Sequence, residues 1–101
     1  MNEAALHFVE ITFEPISEDE MEMLLYQDDR MNSLFAEHGV LEYDGYQRGD
    51  QEFIMFFYGA NADHMAEMIV PELKALPFGD RGRVLKRYGG QGAREELMKL
   101  T

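Results

Sequence analysis

The side chains that could do chemistry are unevenly supplied. In 101 residues there are twenty carboxylates, three histidines, five tyrosines, two serines and no cysteine. Without cysteine there is no disulfide, thiolate metal site or thiol nucleophile. Ser17 stands where a helix would be capped. Ser33 lies within a helical stretch and lacks the glycine-flanked setting of an exposed nucleophile. His64 and Glu67 are three apart, with Asp63 beside them, so one helix face would hold them as it holds metal ligands. A helical di-metal centre uses several such pairs, and the chain has one. Asp28-Asp29 lacks the glycine and the ligand spacing of a calcium-binding loop. These residues point to no catalytic group, no metal and no cofactor.

Two polar residues fall on apolar faces. Asp28 interrupts the stripe Met21, Leu24, Leu25, Met31, Phe35. Either the helix breaks near Gln27-Asp28-Asp29, or Asp28 has a role of its own. His7 alternates with Val9, Ile11 and Phe13 on the core side of a strand. It is a hydrogen-bonded core histidine, or it lines a pocket with Asp28, Tyr43 and Tyr58.

Charge is the strongest signal. Residues 1–70 hold sixteen acids against Arg30 and Arg48, a formal −14, whereas residues 71–101 hold seven Lys/Arg against four acids, a formal +3. The net −11 disfavours nucleic acid and anionic membrane as ligands and favours a basic protein surface. Positions 1–5 lack the basic and apolar regions of a signal peptide, and no apolar run approaches the roughly 18 residues that span a bilayer. A cytoplasmic protein is expected.

The elements that must position these residues follow from local pattern. Residues 5–14 read as a strand ending at Pro15. Ser17 and Glu20 form a capping box, with Ile16 and Met21 as its hydrophobic staple, and Gly39 is the expected stop of the first helix. Residues 40–47 read as an edge strand with a bulge at Gly45. The run Phe53–Tyr58 is apolar throughout and reads as a strand buried on both faces. Asn61 or Asp63 caps a second helix that presents Met65, Met68, Ile69, Leu73 and Leu76, with Pro71 directed to solvent. Arg83–Tyr88 reads as a charged edge strand and residues 93–101 as a short amphipathic helical tail.

The order is therefore β-α-β-β-α-β, the ferredoxin-like pattern. It implies an α+β sandwich over residues 1–92, with a four-stranded antiparallel sheet, two helices on one face, and the tail at 93–101. RNA-recognition domains share this pattern, but Phe53, Phe56, Phe57 and Tyr58 are flanked here by Asp50 and Glu52 rather than by basic residues. The uncovered sheet face would carry Leu6, Phe8, Glu10 and Thr12 and alternate apolar residues of the third strand. That surface calls for a cover: the tail folded back, a second copy forming a homodimer, or a partner.

In size, acidity and want of catalytic motifs the chain resembles, in kind, nuclease-inhibiting immunity proteins and phage anti-defence proteins of the anti-CRISPR type, including nucleic-acid mimics. The resemblance implies a non-enzymatic antagonist of a basic or nucleic-acid-handling protein. The expected contacts are Glu18, Asp19, Glu22, Asp28 and Asp29 on the first helix, with Glu42 and Asp44 on the second strand. The alternative is a dimeric α/β-barrel enzyme or ligand-binding protein using the His7, Asp28, Tyr43 and Tyr58 pocket.

Overall fold

A computed structural model describes residues 6–38 and 41–100; at 32, 34–38 and 41–44 it describes the backbone alone. The elements are β1 (His7–Phe13), α1 (Glu18–His38), β2 (Leu41–Arg48), β3 (Phe53–Gly59), α2 (Ala62–Lys74), β4 (Gly82–Arg87) and β5 (Glu95–Lys99), with a 3₁₀ turn at Gly79–Arg81. Among the described residues the fold is α+β, with two helices and one five-stranded antiparallel sheet in the order β2-β3-β1-β4-β5.

Local signals set the helix starts. The Ser17 N–H donates to Glu20 Oε1 at 2.9 Å and the Glu20 N–H to Ser17 Oγ at 3.2 Å, which closes the capping box. Ile16 and Met21 are both buried beside it, as a staple requires. Asn61, not Asp63, caps α2, its Oδ1 accepting the His64 N–H at 3.0 Å. Pro71 lies inside α2 with its ring exposed, so it leaves the core stripe Met65, Ile69, Leu73 intact. The expected stop at Gly39 and the side chain of the stripe residue Phe35 lie outside what is described. β2 slips register between Tyr43 and Gly45, and Gly45 sits at φ +104°, a backbone state that glycine adopts without a Cβ penalty.

The core lies between the helices and one sheet face. Val9, Ile11 and Phe13 of β1, Phe53, Met55 and Phe57 of β3, and Val84 of β4 meet Met21, Leu24, Met31, Met65, Ile69 and Leu73. β3 is therefore not buried on both faces. Ile54, Phe56 and Tyr58 alternate onto the other face and are only half-buried, because among the described residues no layer packs there. On that face Phe8 is flanked by Tyr58, with ring centroids 5.0 Å apart, and Arg87 lies 4.7 Å over its ring.

The C-terminal segment departs most from the sequence reading. It is not a helical tail but the fifth strand, so β4 is an inner strand rather than an edge. Nor does it fold back over the open face. Leu100, just past β5, is buried and donates its N–H to Gly82 O at 3.0 Å. A Cβ on Gly82 would come within 2.7 Å of Leu100 Cδ2 and 2.8 Å of Phe13 Cε1. The missing side chain at Gly82 is what lets Leu100 enter the core.

Candidate functional site

The first helix divides its acids between internal and free. Glu20 serves the capping box and also takes a two-pronged contact from Arg81, whose Nη1 reaches Oε1 at 3.1 Å and Nη2 reaches Oε2 at 2.6 Å. That guanidinium contact, then the Ser17 N–H, holds the Glu20 carboxyl below its ordinary range. Glu18 lies 3.5 Å from Arg48 at the end of β2. Among the described residues, no ion pair engages Asp19, Glu22 or Asp29, and all three are exposed.

These free acids surround apolar surface. Tyr26 is 68% exposed and Met23 40% exposed. On a helix, Tyr26 has Glu22 and Met23 one turn before it and Asp29 one turn after. Asp19, Glu22, Met23, Tyr26 and Gln27 line a shallow cleft of about 620 Å³ with Leu76, which follows α2. Gln27 Oε1 is buried there and accepts no hydrogen bond from the protein. A second cleft, at the β2–β3 turn, is lined by Glu14, Asp50, Gln51 and Glu52 and extends the acidic surface.

The basic residues are largely spent inside the molecule. Arg83 lies 3.5 Å from Glu14 and Arg30 3.5 Å from Glu72. Lys86 Nζ lies 2.9 Å from Asp63 Oδ1 and 3.6 Å from Glu96 Oε1. The Tyr88 hydroxyl donates to Asp63 Oδ1 at 2.7 Å, with Glu96 Oε1 3.2 Å away, and Arg94 lies 4.2 Å over the Tyr88 ring. This network ties α2, β4 and β5 together. The Tyr88 and Lys86 contacts lower the Asp63 pKa, and those of Tyr88 and Arg94 lower that of Glu96. The Asp63 contact raises the pKa of Lys86.

The sequence-read residues are thus brought together only in part. Asp19 and Glu22 share one cleft, with Glu18 and Asp29 on the same helix. The helix runs unbroken through Asp28, which is half-buried, so the expected break does not occur. β2 carries Glu42 and Asp44, whose side chains lie outside what is described. Tyr26, Met23 and Gln27 were missed. Their signal was an apolar pair on the polar side of an amphipathic helix.

The alternative pocket is not assembled. His7 Nδ1 accepts the Ala62 N–H at 2.9 Å, at the start of α2, and its ring meets the edge of Tyr88. Tyr58 pairs with Phe8 and so points to the opposite sheet face. The side chain of Tyr43 lies outside what is described. The clefts above include neither His7 nor Asp28. Among the described residues no group of three or more His, Asp or Glu side chains is placed to hold a metal ion, and no helix is long and apolar enough to cross a membrane. No family model, curated protein or solved structure matches the chain.

Proposed function

We propose that this chain is a non-enzymatic binding protein that docks a basic protein surface through the outer face of α1, as an inhibitor or antagonist of a nucleic-acid-handling partner. We read its scaffold as a ferredoxin-like βαββαβ unit extended by a fifth strand. The observation that carries the reading is the cleft where Asp19 and Glu22, unpaired among the described residues, flank exposed Met23 and Tyr26. Interface anchors are typically aromatic residues ringed by polar groups. Here the rim is acidic, so the complementary surface presents Lys or Arg. The excess charge of residues 1–70 would steer such a partner and raise its on-rate by roughly 10–10³-fold at low salt.

The test is affinity capture from a lysate with the immobilised chain, read by mass spectrometry. The wild type is expected to retain a basic, nucleic-acid-handling protein. Tyr26→Ala with Asp19→Lys and Glu22→Lys is expected to lose it while keeping the fold, and so is a wash at about 0.5 M salt, where charges are strongly screened. Retention of the same partner by the triple variant refutes the assignment of this face.

A further inference from the structure

The sheet has two edges, and they differ. β2 carries the register shift at Tyr43/Gly45, which interrupts its row of backbone groups. β5 pairs with β4 in unbroken register, and all five of its residues are exposed. Its outer N–H and C=O groups are a template for another strand.

The pairing shows which groups point outward. The Leu100 N–H donates to Gly82 O at 3.0 Å and the Tyr88 N–H to Arg94 O at 2.9 Å. Antiparallel ladders alternate hydrogen-bonded and non-hydrogen-bonded pairs. The even-numbered residues Arg94, Glu96, Met98 and Leu100 therefore turn their backbone groups toward β4. Glu95, Leu97 and Lys99 turn theirs outward.

A second β5 matches this edge. About a two-fold axis at Leu97, Leu97 faces its twin, and Glu95 faces Lys99 of the partner subunit at each end. Each of these pairs can exchange both N–H···O bonds. The neighbouring permitted registers are worse. One sets Glu96 against Glu96 of the partner subunit, and the other sets Leu97 against Lys99 of the partner subunit. Only the Leu97-centred register joins opposite charges and covers Leu97, which is 70% exposed.

We propose that β5 pairs antiparallel with the β5 of a second copy of this chain about a two-fold axis at Leu97, joining two sheets into one. This surface is separate from the α1 cleft, so either reading stands without the other.

Sedimentation equilibrium of the full chain tests it. The wild type is expected to approach twice 11.7 kDa in the high-micromolar range. Glu95→Lys and Lys99→Glu each set like charges across both ends of the paired strands, and each alone is expected to weaken association by about tenfold or more. An equimolar mixture of the two variants is expected to restore it, because each supplies the charge the other lacks. Far-UV circular dichroism checks that both variants fold. A wild type that stays monomeric overturns the proposal. So does a dimer that survives both single reversals, or a mixture that fails to associate.

Discussion

Replacing Leu100 with alanine probes how the chain end is held. Leu100 is 2% exposed and fills the space left by the absent side chain at Gly82, against Phe13. Fully burying a leucine is worth about 1.5–3 kcal/mol in transfer alone, and Leu→Ala in a core costs about 2–5 kcal/mol once the cavity is counted. The site lies at a strand end that can relax, so the lower half of that range applies, about 2–3 kcal/mol. For a chain of 101 residues, whose total stability is of order 5–15 kcal/mol, that is a large loss. It corresponds to a drop in Tm of roughly 10–20 °C. The assay is urea unfolding, together with amide hydrogen exchange. The amides of Glu96 and Met98 should lose protection before those of Val9 or Ile11, because no side chain of β5 itself is buried. A change below about 0.5 kcal/mol, the range of ordinary surface substitutions, would refute the view that Leu100 pins β5. So would unchanged protection of Glu96 and Met98.

Two further predictions rest on polar contacts. His7→Ala removes the acceptor of the Ala62 N–H, and an N-terminal helix donor left without a partner should cost about 1 kcal/mol, read as a shift of the urea midpoint; an unmoved midpoint would mean that water serves as well. Glu20, Asp63 and Glu96 are all held below their ordinary range in the folded state, by Arg81, by Tyr88 with Lys86, and by Tyr88 with Arg94. The unfolded chain therefore binds more protons through that range. Their contribution is full above the ordinary carboxylate pKa of about 4 and is lost as pH falls through the lower folded values. Urea midpoints measured from neutral to acidic pH should fall, and Glu20→Gln should flatten the slope; an identical slope would show that the Arg81 contact is not formed in solution.

Much of the fold was legible where the signal is local. The capping box at Ser17 and Glu20, a cap at Asn61 or Asp63 and the bulge at Gly45 each need only a few neighbouring residues, and backbone chemistry is the same wherever they sit. The period-two pattern of β1 gave its core face for the same reason. The run of β3 misled, since an apolar sequence does not say whether a second layer exists to cover it. The candidate site was half legible. That α1 is acidic is plain from composition. Which acids are free depends on Arg81 and Arg48, which are distant in sequence.

The charge polarity, the helix starts and the alternation of one core strand depend on residue type and spacing alone. The conformation of Glu95–Lys99, by contrast, depends on what packs beside it. Glu, Leu, Met and Lys are good helix formers, and in isolation the segment reads as one more amphipathic turn. Strand preference depends on what lies alongside. Here β4 offers an unpaired edge and Gly82 offers room for Leu100, so a segment with helical composition becomes the fifth strand.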